Sequence, residues 1–507
     1  MRSNTQLKRI VSNYIRMAVT FLFGIWLLRL LLQFGDGVYA AVALTGSSIG
    51  IAEILKEMVR GATIPALGIS YHQTDNTEFK HVYASTLVLS VVAALFAVLT
   101  LGLFLVFIDE FNIPVHLREA TVFYISCRMA YTFFAICASP ILNMLPITDR
   151  MISYNVWLII ERSGEILSAL IVTYLLVVVS DADALTKFSG YSALFMVATV
   201  FASVVYVVCV DKAFWPTIKF ATLGKIRKIA KNIGWNGAAV VSVNLYLRFD
   251  LLLINIFYGI QATIVFGLAS QLAAYTRIMT MGLVSGLDAV VTQKKSSRKD
   301  VFNNAAVELS RNIVRLQSLI LGFIFLILVS YSYELTELLL GDRISNPEII
   351  PEIVLCFLIL MIGMFARSLS EGWMSILAGS GKIKEYAVPV FLGSVLNPVI
   401  VIAISQFMGE KSGLLAIAVT FSVLNIIFHM GVVPVIVARE FDSTLVRVFQ
   451  PLGIPLLLTV VGAVSIELVR QSEIASGTIS LLLTLVVSLL FIVPYGVYSL
   501  LRLIRDV

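Results

Sequence analysis

The sequence predicts an all-α polytopic membrane protein of about fourteen transmembrane helices. They form two six-helix lobes and a C-terminal helix pair, with both termini cytoplasmic. Three observations predict it. Hydrophobic residues make up 59% and charged residues 13% of the chain, and its mean hydropathy is +0.94; soluble domains carry roughly 25% charged residues. Apolar runs of about 20 residues, enough to cross the hydrocarbon as a helix, recur along the whole chain. None shows the alternation over roughly 10 residues that marks a transmembrane β-strand. The loops supply the third observation. With the N-terminus cytoplasmic, 21 lysines and arginines fall on the cytoplasmic side and 5 on the other. A miscounted span would invert every later loop and blur that contrast, so the asymmetry supports both parity and orientation.

Span 1 (10–34) follows Lys8 and Arg9 and precedes small residues at Ala40–Ala43, as a signal peptide would. Its run exceeds the roughly 7–15 residues of such a segment and carries Arg16 and Arg29, so it reads as a retained span. Asn13, Arg16, Thr20 and Gly24 share one helical face, while Arg29 lies near the outer end, where snorkelling accounts for it. Span 2 (37–66) runs on without a break to Tyr71, about 50 Å at 1.5 Å per residue, against a hydrocarbon of about 30 Å. Pro65 is expected to kink or end it. Glu53, Lys56, Glu57 and Arg60 share a face of this span, at spacings that allow local pairing; a salt ladder at the cytoplasmic end is the alternative reading.

Span 3 (82–108) precedes span 4 (117–142), whose Arg128 has no acid within one turn. Span 5 (150–179) carries Glu161, Arg162 and Glu165, the last two spaced to pair. After span 6 (187–210) comes the longest basic loop, 211–229, which divides the chain. Span 7 (230–257) holds Asn244 and Arg248 four apart, with Asp250 nearly opposite; span 8 (261–290) holds Ser270, Arg277 and Asp288 on one stripe. Spans 9 (312–340) and 10 (350–378) follow, with Arg367 and Glu371 of span 10 at pairing distance. Spans 11 (384–407), 12 (413–437), 13 (446–469) and 14 (476–501) complete the set. Pro140, Pro146, Pro389 and Pro398 mark further bends.

A cation at the bilayer centre costs roughly 2.5–3.5 kcal/mol on insertion scales. Repetition of that cost implies a polar cavity, and the excess of cations implies an anion inside it. Arg162 and Arg367 are answered by nearby acids. Arg16, Arg128, Arg248 and Arg277 have no local neutraliser on the same face and are the candidate ligands, joined by Lys56 and Arg60 of span 2. The guanidinium never titrates away, and its planar fork matches phosphate oxygens two at a time. Glu53, Asp250 and Asp288 are candidates for a coupling-ion or proton site, because buried carboxylates shift into the titrating range; a counter-ion role is the alternative.

Absent motifs exclude other chemistry. Gly379-Ser380-Gly381-Lys382 is not a phosphate loop, since position 376 is Ile and Ile383 replaces the Ser/Thr. There is no HExxH, no GxSxG and no CxxC; His72, His81, His116 and His429 are dispersed, and the four cysteines all lie in spans. No enzyme activity, metal or cofactor is implied. The net charge of +6 is the loop bias and does not point to nucleic acid. The six cations between Lys212 and Lys231 set topology; contact with anionic headgroups is the second reading.

Three stretches resemble the multidrug/oligosaccharidyl-lipid/polysaccharide (MOP) flippase superfamily, and within it the polysaccharide-transporter branch. Residues 248–275, RFDLLLINIFYGIQATIVFGLASQLAAY, are similar to its span 7–8 pattern. Residues 376–403, ILAGSGKIKEYAVPVFLGSVLNPVIVIA, resemble its Gly-Lys cytoplasmic turn followed by an asparagine, here Asn397. Residues 37–60, GVYAAVALTGSSIGIAEILKEMVR, resemble its span 2 opening.

The resemblance implies two lobes forming a V, residues 1–210 and 230–438, joined by the linker 211–229 and followed by a helix pair in 439–507. It implies alternating access driven by an ion gradient or the membrane potential. The substrate would be an undecaprenyl-diphosphate-linked oligosaccharide, moved across the cytoplasmic membrane for O-antigen, capsule or exopolysaccharide synthesis. Arg16, Arg60, Arg248 and Arg277 would hold the diphosphate, with Lys56 and Arg128 in support. The implied partners are that lipid-linked glycan, membrane lipids, and a glycan polymerase and chain-length regulator. Within the superfamily, the alternatives are a lipid II-type peptidoglycan precursor flippase and a multidrug or cation antiporter. The arginines of spans 1 and 2 do not match the lipid II pattern well, and an antiporter would call for an acidic cavity. A membrane-embedded glycan polymerase or glycosyltransferase would need larger outer loops, and a scaffold would leave the buried cations without a role.

Overall fold

The computed structural model describes residues 2–71, 76–284, 291, 299–471 and 495–499. These residues are helical, with no strand among them. Eleven of the described helices are long and apolar enough to cross a membrane, so the chain is a multi-pass membrane protein.

The helices follow the apolar runs: α1 (Arg2–Gln33), α2 (Asp36–Tyr71), α3 (Asn76–Val106), α4 (Val115–Leu142), α5 (Met151–Tyr174) and α6 (Asp181–Val210). Next come α7 (Leu223–Val284), α8 (Lys299–Ser330), α9 (Ser332–Leu340), α10 (Ile350–Gly379), α11 (Ile383–Phe407) and α12 (Glu410–Asn425). A π-helical segment, Ile426–Val432, joins α12 to α13 (Val433–Glu440), and α14 spans Gly453–Gln471.

Three features separate eleven apolar helices from fourteen sequence spans. Helix α5 is present, but Glu161, Arg162 and Glu165 make it too charged to count by apolarity. Spans 7 and 8 are one element, α7, broken at Gly259, whose φ of 85° and ψ of −165° are open to glycine and strained for other residues. Most of span 14 lies outside the described residues. Of the two outcomes expected at Pro65, a kink or an end, the helix does not end there; it continues to Tyr71 with Pro65 inside it. Helix α6 starts earlier than its apolar run because Ser180 caps it, accepting from Asp183 N, and Asp181 and Asp183 complement the dipole of its first turn.

The chain divides into two compact units. The first comprises 1–267, 343–346 and 401–410; the second comprises 268–342, 347–400 and 411–507. In the first unit six helices neighbour one another in the order α1, α5, α6, α4, α3, α2. The basic stretch after α6 is pinned to α3: Tyr83 Oη donates to Phe214 O (2.8 Å), His81 Nδ1 meets Phe220 O (2.7 Å), and Lys225 pairs with Glu78. The amino-terminal part of α7 packs with this unit. Asn112 of the α3–α4 connection bonds Asn255, and Asn255 Nδ2 reaches across the Gly259 break to Thr263 Oγ1 at 3.0 Å. In the second unit α8 packs on α10 and α14, and α10 packs on the π segment and α13.

Many buried hydroxyls serve the helices themselves. Thr45 Oγ1 donates to Ala41 O, Ser90 Oγ to Thr86 O and Ser168 Oγ to Gly164 O. With no water in the hydrocarbon, this is how such side chains are satisfied, and it removes them from the list of candidate ligands. Thr20, on the polar face of span 1, belongs here as well: its hydroxyl donates to Arg16 O at 2.8 Å.

Candidate functional site

Two groups of charged side chains form where α1, α2, α4 and α5 of the first unit meet. One is closed. Arg128 of α4 is buried and pairs with Glu165 of α5 at 2.8 Å, and Glu165 also pairs with Arg162 one turn away on its own helix. The Arg128 guanidinium lies over the rings of Tyr124 (5.8 Å) and Tyr131 (5.5 Å). A cation held by a buried carboxylate between two aromatic faces has its charge answered by protein. Span 4 offers no acid within one turn of Arg128; its partner comes from the neighbouring helix. This geometry ties helices together.

The second group is more open. Lys56 and Arg60 stand four apart on one face of α2, both half-buried. Lys56 Nζ is 3.8 Å from Glu161 Oε1, a loose contact, and Glu161 also accepts from Tyr131 Oη. Arg60 contacts Glu57 at 3.4 Å and lies over the Tyr154 ring at 5.6 Å. Arg16 of α1 lies in the electrostatic reach of Arg60, Glu57 and Tyr154. Asn155 fixes this meeting of helices, donating from Nδ2 to Ser12 Oγ and Asn13 Oδ1, both at 2.9 Å. One turn on from Asn13, Arg16 faces the same corner, and its Nε is buried without a hydrogen-bond partner among the described residues. Here α1, α2 and α5 converge; Glu57 meets Arg60, and Glu161 meets Lys56. The side chain of Glu53 is outside the described residues.

Arg248 of α7 lies against another part of α2. It donates from one terminal nitrogen to Gly46 O (3.0 Å), and its guanidinium lies directly against Gly50, where a Cβ would come within 1.3 Å of that nitrogen. Only glycine lets the guanidinium lie so close to the helix backbone. Along α2, Gly50 is six residues from Lys56 and ten from Arg60, about 9 and 15 Å at 1.5 Å per residue. Asp250, two residues on from Arg248, is fully buried.

In the second unit, Arg277 is half-buried and pairs with Glu371 of α10. Glu371 was expected to answer Arg367 on its own helix; it pairs with Arg277 of α7. Beside them lies a residue that sequence reasoning passed over. His429 in the π segment is fully buried, with Nδ1 2.6 Å from Ser370 Oγ. Ser370 Oγ also lies 2.8 Å from Arg367 O, so its one proton serves either that carbonyl or His429 Nδ1, and His429 Nε2 is buried without a hydrogen-bond partner among the described residues. A histidine inside an apolar span is itself a polar-in-membrane signal, and it could have singled out His429. Tyr154 carries no such signal, because an aromatic in an apolar run looks like core. Asp288 lies outside the described residues.

The structure thus gathers Arg16, Lys56 and Arg60 at one corner of the first unit and closes Arg128 in a salt bridge beside it. It lays Arg248 farther along α2 and places Arg277 in the second unit against Glu371. No family model matches this sequence, and no curated protein matches it. Solved structures do. A lipid II flippase, MurJ, in an inward closed conformation superposes with a TM-score of 0.68 and 11% identity, over 98% of this chain and 100% of that one. The inward-facing conformation of a multidrug resistance MATE family transporter of the MOP superfamily gives 0.65 and 14%, over 85% and 100%. A MOP superfamily transporter from Pyrococcus furiosus, in which reverse polarity of the binding pocket suggests a different function, gives 0.64 and 15%, over 86% and 97%. The chain has the fold of these transporters.

Proposed function

We propose that this chain is a flippase that moves a lipid-diphosphate-linked oligosaccharide across the cytoplasmic membrane by alternating access, for polysaccharide synthesis. One observation carries the reading: Arg16, Lys56 and Arg60 are gathered where α1, α2 and α5 of the apolar first unit converge, and Arg16 Nε is buried without a hydrogen-bond partner among the described residues. A diphosphate entering this corner regains charge-assisted hydrogen bonds in place of its hydration. The likeness to a lipid II flippase supports a lipid-linked substrate. The Pyrococcus transporter supports a fold that tolerates a pocket of altered polarity. An organic-cation antiporter is disfavoured by the cationic corner. Buried Asp250 remains the coupling-ion candidate, and the oligosaccharide would pass to a polymerase and chain-length regulator.

The contributors separate by role. Arg16, Lys56 and Arg60 hold phosphate, Arg128 supports through its tie to α5, and Arg248 holds α2 to α7. The test is flipping of a fluorescent undecaprenyl-diphosphate oligosaccharide in proteoliposomes. A charged hydrogen bond contributes about 1.5–3 kcal/mol, so each of Arg16→Ala, Lys56→Ala and Arg60→Ala should weaken binding roughly tenfold or more, and the triple variant should stop flipping. Full flipping by a folded triple variant would refute the reading.

A further inference from the structure

A cavity of about 610 Å³ lies in the second unit between the start of α11 and the π segment with α13. Its walls are apolar: Val388 and Pro389 on one side, Val432, Val435 and Ile436 on the other. Val388 and Val435 are exposed, at 38% and 49%, on helices whose length and apolarity suit a bilayer. The mouth is polar and sits where α11 begins and α13 ends, so it lies at a membrane interface. Lys384 and Arg439 line it. Arg439 spans the opening, meeting Glu385 of α11 at 3.1 Å and its neighbour Glu440 at 2.9 Å. These contacts use Nε and one terminal nitrogen of Arg439, and its other terminal nitrogen has no partner among the described residues. The first-turn N–H groups of α11 add their positive end to the same place.

Two helix irregularities, the π segment and Pro389, fall here. The π segment turns His429 inward onto Ser370 and sets Gly431, exposed and with nothing but Ile426 O near its absent Cβ, along the groove. Pro389 lies inside α11 and has no N–H, so the carbonyl of Glu385, at the level of the mouth, lacks its helical donor. An apolar channel open to the bilayer, with Lys384 and Arg439 at its mouth beside Glu385 and Glu440 and a carbonyl that can accept from a headgroup hydroxyl, matches a phospholipid whose headgroup carries both a phosphate and hydroxyls.

We propose that this groove binds an anionic phospholipid, with its phosphate at Lys384 and Arg439 and an acyl chain along Val388, Val432 and Val435. Basic pockets between transmembrane helices take such headgroups. The site is separate from the Arg16–Lys56–Arg60 corner, so its test is independent of the flippase reading.

The test is native mass spectrometry of the purified full chain with equimolar phosphatidylglycerol and phosphatidylcholine of identical acyl chains. The expected result is one retained phosphatidylglycerol, preferred over phosphatidylcholine by tenfold or more and not displaced by millimolar glycerol phosphate, which has the headgroup charge without the chains. Lys384→Ala with Arg439→Ala should bring the two lipids to parity, a loss of roughly tenfold to thirtyfold at about 1 kcal/mol per cation. Gly431→Leu, which fills the groove and leaves the cations in place, should reduce retention of both lipids. Lys384→Gln alone carries the charge arm if loss of the Arg439–Glu385 bridge impairs folding. Parity in the wild type, an unchanged preference in the charge variants, or full retention by folded Gly431→Leu overturns the proposal. Displacement by glycerol phosphate would make the mouth a free-phosphate site and overturn it as well.

Discussion

Glu165→Gln isolates the closed salt bridge. The change keeps the shape of the side chain and removes the one carboxylate shared by Arg128 and Arg162. Arg162 is 36% exposed and can turn outward, so its loss counts for little. Arg128, at 10%, cannot. Breaking a buried pair from one side costs about 3–5 kcal/mol. The two tyrosine rings still hold the guanidinium, each by about 0.5–1 kcal/mol or more, so a net loss of roughly 2–4 kcal/mol is expected. Apparent Tm falls by about 2–4 °C per kcal/mol for domains of 150–250 residues. Scanning fluorimetry of the purified protein at a fixed heating rate should therefore show a drop of roughly 4–16 °C. Replacing both partners, Arg128→Leu with Glu165→Leu, should recover most of it, since a packed apolar pair substitutes for a buried ionic one. A Tm unchanged by Glu165→Gln would refute a structural role for the bridge. A stable double variant that has lost flipping would show that Arg128 acts on substrate.

Three further outcomes follow from particular contacts. Gly50→Ala pushes Arg248 off Gly46 O, losing a charged hydrogen bond of about 1.5–3 kcal/mol; thermal melts should show Arg248→Ala to be comparably destabilised and the double variant no worse than either. Gly259→Ala forces a side chain into φ of 85°, at a cost of about 1–3 kcal/mol, seen as a lower Tm with binding of a lipid-diphosphate analogue retained. Tyr154→Leu removes the ring under Arg60 and should weaken binding of that analogue about twofold to fivefold, roughly 0.5–1 kcal/mol; Tyr154→Phe keeps the face and should bind as the wild type does.

The chain's own order of residues determined where it is helical and where it enters a bilayer, because a run of about 20 apolar residues is a local property. It also determined the pairs within one turn: Arg162–Glu165 and Arg60–Glu57 form at the spacings that predicted them. The excess of cations inside spans was equally legible, and so was the break near Gly259. Helix rotation was not. It turns Glu165 toward Arg128 and Glu371 toward Arg277, so two arginines without local neutralisers acquired partners from other helices. It lays Arg248 on bare backbone at Gly46 and Gly50, and it sets His429 on Ser370. These contacts join residues from about 40 to 200 positions apart, where no periodicity in the sequence links them. Which cations stay open to a ligand depends on which acids the neighbouring helices bring, and only the packing decides that.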